Sequence, residues 1–245
     1  MTKLTDKPMA VAGMSRRDVI KKLGITAGVA AIVPSALVEG ASTKVSIKSS
    51  TNARFVYVGT YSAPNFAPGG KVPSTAKGIY VYKMEQNGDL LPIQTVAADN
   101  PSFLAVDPSS NFLYAVNELG ADENGKPLGR VSAYRINQAD GTLSFINTQP
   151  TKGTWPCHCV VHPSGKFLLA ANYGSGNFPV YPIQADGSIG KMTDLAQSVG
   201  NGGGSDEARQ GGPHAHMIWT NPGANYVFGV DLGADRILTW ELDET

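Results

Sequence analysis

The sequence predicts an all-β chain folded as a β-propeller, an architecture of radially repeated four-stranded sheets. Three observations carry this. Short apolar runs alternate with Pro- and Gly-rich breaks, the pattern of antiparallel strands joined by tight turns. The runs recur: the turn residues Pro108, Pro163 and Pro222 stand 55 and 59 positions apart, and the second-strand residues Val58, Val116, Ala171 and Val230 stand 58, 55 and 59 apart. Propeller blades repeat at roughly 40–50 residues, so this period suits a blade with loop insertions. Finally, no apolar stripe of 3.6-residue period runs through the repeats, which argues against a helical solenoid.

Taken in order, residues 1 to about 40 read as a leader outside the propeller. Ser15-Arg16-Arg17 and the residues after it resemble a twin-arginine export signal. The apolar stretch Leu23–Val38 that follows is short for a membrane span. An uncleaved or anchoring segment is the alternative. Export by the twin-arginine machinery implies the periplasm or the exterior as the destination. Residues 41–53, rich in Ser, Thr and Lys, read as a linker.

The propeller is expected over residues 54–245. RFVYVGTY, from Arg54, is its first strand, and a Pro- and Gly-rich loop follows. Gly78–Val96 reads as two strands around Asn87-Gly88, a strong hairpin signal. Later copies turn at Asp140-Gly141 and Asp186-Gly187. The same turn chemistry at the same place in the period strengthens the repeat. Trp155–Pro182 is the clearest unit, with two apolar runs about the turn Pro163-Ser164-Gly165 and a third after a Gly-rich break. Val199–Gly212 is a Gly-rich loop with no helix signal behind it, so a phosphate cradle is not supported there.

Formal net charge is zero and charged residues are only 16%, so nothing marks a nucleic-acid partner. Cys157 and Cys159 alternate faces in an expected strand, which reads as two core residues rather than a disulfide. A metal site built from them and His158 is the weaker alternative, because few further ligands converge in sequence. Neither a metal nor a cofactor is expected. Oligomeric state is left open.

In this order, GTYS, GIYVY, NPSFLAVDP, LYAVNE, PCH, ANYGSGN, RQGGPHAH and VDLGADRI resemble the seven-bladed β-propeller lactonases of the 6-phosphogluconolactonase type. The resemblance runs from about Phe55 to the C-terminus. It implies seven blades, of which this stretch holds about three and a half, and a small-molecule sugar lactone as substrate. The same family includes a muconate-type lactonising cyclase, so cyclisation is an alternative, as is a non-catalytic interaction module.

Opening a lactone needs an activated water, a donor for the oxyanion and contacts to the substrate's polar groups. His158 opens an inner strand, and its imidazole suits a general base. The RQ-PH-H pattern of the family is met by Arg209, Gln210, Pro213, His214 and His216. It implies that Arg209 holds an anionic group or the oxyanion, with His214 and His216 on substrate hydroxyls. Glu118, Asn172, Tyr173 and Asp231 close second strands, where capping a strand end competes with binding substrate. A Ser nucleophile is not indicated, since no Gly-x-Ser-x-Gly elbow is present.

Overall fold

Four antiparallel sheets follow one another along the chain, as the repeat requires. The structure, a computed structural model, describes residues 3–6, 54–62, 74–202 and 206–243. The first sheet holds β2 (Arg54–Val58), β3 (Gly78–Met84) and β4 (Leu90–Ala97). The second runs from β5 (Leu104–Val106) through β6 (Phe112–Asn117) and β7 (Arg130–Ile136) to β8 (Leu143–Pro150). The third holds β9 (Pro156–Val161), β10 (Phe167–Asn172), β11 (Asn177–Pro182) and β12 (Asp194–Gln197). A one-turn helix, α1 (Glu207–Gln210), leads into the fourth, made of β13 (Ala215–Thr220), β14 (Tyr226–Asp231) and β15 (Arg236–Asp243).

The outer place in this fourth sheet is taken by β1 (Lys3–Asp6), which pairs antiparallel with β15, Leu4 opposite Leu242. These four residues belong to the span read as a leader. The physical reason for the pairing is local. β15 presents a row of backbone donors and acceptors that an extended segment can satisfy. Leu4 also packs against the core cluster around Phe178 and Trp240. The arginine pair, the apolar stretch and the linker lie outside the described residues.

The core lies between sheets. Leu113 and Ala115 of β6 face Ile79 and Val81 of the first sheet, while Tyr114 and Val116 face Leu168 and Ala170 of the third. Leu169 and Ala171 of β10 face the other way, onto Ile218 and Trp240 of the fourth. Successive side chains alternate between two buried faces, which is why the middle strands read as unbroken apolar runs rather than alternating ones. The repeated Asp-Gly turns lock neighbouring sheets together. Gly141 has a φ of +75° and Gly187 of +86°, the left-handed region that glycine tolerates. Tyr57 Oη donates to the Gly141 carbonyl at 2.9 Å, and Tyr114 Oη to that of Gly187 at 3.0 Å.

Two irregularities matter for the site. Between β9 and β10, Pro156 opposes Asn172 and His158 opposes Ala171, so Cys157 is a bulged residue. Between β13 and β14, Ala215 opposes Asp231 and Met217 opposes Val230, so His216 is bulged in the same way.

Candidate active site

The bulges and the strand ends converge on one cavity of about 320 Å³. Two sets of repeat-equivalent residues line it. Ser102, Cys157 and His216 enter from the starts of the inner strands, spaced by 55 and 59 positions. Glu118, Tyr173 and Leu232 enter one residue beyond the second strands, with the same spacing. Tyr61 and Arg209 complete the lining. Bulges commonly re-aim a side chain beside a site, and here they turn Cys157 and His216 inward.

Glu118 is the best-anchored of these groups. Its backbone N–H donates to the Asn100 carbonyl at 2.9 Å, and Asn100 Nδ2 donates to the Glu118 carbonyl at 3.1 Å. Its carboxylate Oε2 accepts from Tyr61 Oη at 2.9 Å and Ser102 Oγ at 2.5 Å. Only 8% of the residue is exposed. Burial, then the nearby Glu118 carboxylate, raises the Tyr61 phenol above its ordinary value, so it stays a proton donor. Burial, with Glu118 adding, pushes the Cys157 thiol up to about 12, so it remains protonated near neutral pH and is no thiolate nucleophile.

Arg209 sits on α1 with its side chain 68% exposed, 3.8 Å from the Asp206 carboxylate. An exposed pair at that distance holds the guanidinium weakly, leaving it able to turn toward an anion. His214 and His216 were both expected on substrate hydroxyls, but the bulge at His216 sends them to different places. His216 lines the cavity and meets Tyr173 edge-on. His214 stacks on Tyr173 with ring centroids 4.5 Å apart, and its Nδ1–H donates to the Tyr173 carbonyl at 2.9 Å. His214 therefore supports the cavity wall and is not among the residues that line it.

Three other candidate residues lie outside the lining of this cavity. His158 does not line the cavity. It is 7% exposed, packed against Phe103 and Trp219, and its Nδ1 accepts from the Ile218 N–H at 3.4 Å. Asn172 is fully buried, and its Nδ2 donates to the Thr151 carbonyl at 3.2 Å and to Asn177 Oδ1 at 2.7 Å. Asp231 is also fully buried, and its Oδ1 accepts from the backbone N–H groups of His214 at 2.8 Å and Ala234 at 2.7 Å. Asn117 does the equivalent work in the second sheet, where its Nδ2 donates to the Asp99 carbonyl at 2.8 Å. These residues cap loops; the next residue along reaches the cavity. Tyr61, Ser102 and Leu232 were not singled out from the sequence, and Cys157 was read there as a core residue. Aligning the repeats on their turn prolines would have found three of them, since Ser102 and Cys157 match His216, and Leu232 matches Glu118.

The buried imidazole has a pH signature. Burial, with His216 adding, holds His158 down to about 4. The unfolded chain binds this proton near the ordinary His value of about 6.5. Between those values the unfolded state carries more protons, so stability is full above about 6.5 and falls as pH drops toward 4. The contribution is on the order of 3 kcal/mol. Urea midpoints across this range should fall less steeply for His158→Phe than for the wild type. Parallel curves would contradict the assignment.

Among the described residues no three His, Cys, Asp or Glu side chains converge as a metal ion would require. The cavity offers instead a carboxylate, an imidazole, a guanidinium, a thiol and the three hydroxyls of Tyr61, Ser102 and Tyr173.

Residues 55–245 match a family profile described as lactonase, 7-bladed beta-propeller. A 6-phosphogluconolactonase of Bacillus subtilis is 35% identical over 190 residues, covering 77% of this chain and 49% of that protein. A solved structure of a Bacteroides fragilis protein provisionally named 6-phosphogluconolactonase matches with a TM-score of 0.67 and 32% identity, covering 78% of this chain and 49% of that one. The periplasmic gluconolactonase of Pseudomonas aeruginosa matches with a TM-score of 0.65 and 27% identity, covering 78% and 50%. The chain thus spans about half the length of the curated relatives it matches.

Proposed function

Because the chain belongs to the seven-bladed β-propeller lactonase family, we propose that it carries the active-site half of an enzyme that hydrolyses a sugar lactone. The observation that supports this most is the convergence of Glu118, His216 and Arg209 on one cavity, with Tyr61 and Ser102 fixing the carboxylate. Glu118 takes a proton from water as its oxygen attacks the lactone carbonyl. Arg209 stabilises the oxyanion of the tetrahedral intermediate or an anionic substituent of the sugar. Collapse breaks the ring C–O bond, and the proton held by Glu118 passes to the departing ring oxygen, giving the open hydroxy acid. His216 contacts a substrate hydroxyl. His158, expected to be the base, is set aside because it is walled off by aromatic rings.

The export reading bears on the substrate. A chain sent out through Arg16-Arg17 would meet an unphosphorylated aldonolactone rather than a cytosolic sugar phosphate. The name of the Pseudomonas aeruginosa relative, a periplasmic gluconolactonase, supports this choice. Opening of gluconolactone and 6-phosphogluconolactone, corrected for spontaneous hydrolysis, tests the proposal. Arg209→Ala is expected to lower kcat/KM by at least about tenfold on both. A loss confined to the phosphorylated lactone makes Arg209 a phosphate anchor instead. No opening of either lactone by the wild type would sink the reading and favour a cyclase or an interaction module.

A further inference from the structure

Trp155 is the residue before β9, and its backbone lies in the left-handed region at φ +53°. That conformation is uncommon for a bulky residue. One repeat earlier, 55 positions back, the equivalent residue Asn100 is left-handed too, at φ +42°. Asparagine adopts this region readily. Two of the three described repeats thus take this conformation, since His214, the equivalent residue in the fourth sheet, is not left-handed, and at Trp155 the backbone does not favour the indole. Core burial does not account for it either, since Trp155 is 40% exposed.

The ring is nonetheless firmly seated. A Cβ on Gly120 would stand 2.9 Å from the indole Nε1, and one on Gly174 would stand 3.0 Å from Cε3. The indole thus spans two loops whose glycines leave it room. Its backbone N–H donates to the Leu119 carbonyl at 2.7 Å, and its carbonyl accepts from the Tyr173 N–H at 2.8 Å. Leu119 follows Glu118, and Tyr173 lines the cavity. A strained, half-exposed aromatic ring is thereby fixed next to the loops that carry Glu118 and Tyr173 into the cavity, though Trp155 is not itself among the lining residues. Retained strain beside a site points to function, and a pre-seated ring binds without ordering a mobile side chain.

We propose that Trp155 is a stacking platform for the C–H face of a pyranose-type ring, and so a binding residue that selects cyclic sugars. The identity of the ring rests on the lactonase reading above; the platform itself rests on the geometry. The test uses the 245-residue chain, with D-glucono-δ-lactam as a ring that is no ester, alongside gluconolactone turnover and thermal melting. Trp155→Asn is expected to weaken lactam binding and raise KM for gluconolactone by roughly tenfold, with kcat changed less than about twofold. Trp155→Phe should restore binding to within about threefold. The melting temperature of Trp155→Asn should equal or exceed that of the wild type, because Asn relieves the strain as it does at Asn100. Unchanged lactam binding in Trp155→Asn overturns the platform and leaves the lactonase reading standing. So does a wild type that binds no lactam, or a loss of binding that comes with a lowered melting temperature and is shared by Trp155→Phe. A wild type that binds lactam but opens no lactone rejects the lactonase reading, and the platform is then decided by the Trp155→Asn binding constant.

Discussion

Glu118→Gln is expected to lower kcat/KM for lactone opening by about 10²–10³-fold, within the range lost with a general base. The substitution is nearly isosteric. Its amide oxygen can still accept from Tyr61 Oη and Ser102 Oγ, which now bond Oε2. Fold and cavity shape should survive, so the loss should fall on kcat with little change in KM. Steady-state kinetics, with thermal melts of both proteins, would check this. A Gln variant with wild-type rates would move the base to His216, the other cavity group able to take a proton. A variant that melts early would show that the carboxylate holds the loop, and the rate loss could not then be read as chemistry.

Much of the fold was legible because its causes are local. The Asp-Gly turns need left-handed glycines, and residues 140–141 and 186–187 state this directly. Unbroken apolar runs such as FLYAV and FLLAA state that both faces of a strand are buried, which only a middle strand between packed sheets allows. The site was less legible, and the reason is register. Period-two reasoning carries a side chain to a face only while the ladder is regular. Each bulge inserts one residue, so Cys157 and His216 reach the cavity while His158 turns to Phe103 and Trp219. The strand ends misled by one position for a related reason. A polar residue there was read as facing substrate, but the loop that follows has backbone N–H groups to satisfy, and Asp231 satisfies them. Glu118 was found because it already stands one residue beyond its strand. Arg209 came from a motif alone, since an exposed arginine on a loop carries no periodic signal. The pairing of β1 with β15 joins residues more than 230 positions apart, and no local pattern announces such a contact.

Asp231→Ala should destabilise the fold by about 3 kcal/mol. For a chain of this size that lowers the melting temperature by roughly 6–12 °C. One carboxylate oxygen accepts from both His214 and Ala234. Removing it strands one buried and one half-buried donor and opens a void at a fully buried position. Asp231→Asn separates hydrogen bonding from charge. Its amide oxygen can keep both bonds, and the other carboxylate oxygen, Oδ2, has no partner among the described residues. The Asn variant should therefore lose less than about 1 kcal/mol. The damage should also reach the cavity. The His214 N–H anchors the segment that stacks on Tyr173 and carries His216, so its release frees two lining residues at once. Lactone opening by Asp231→Ala should fall even at temperatures where the protein stays folded, with KM rising. Chemical denaturation and kinetics on both variants would decide the matter. An Ala variant as stable as the wild type, but with impaired substrate binding, would return Asp231 to the substrate contacts that the sequence suggested.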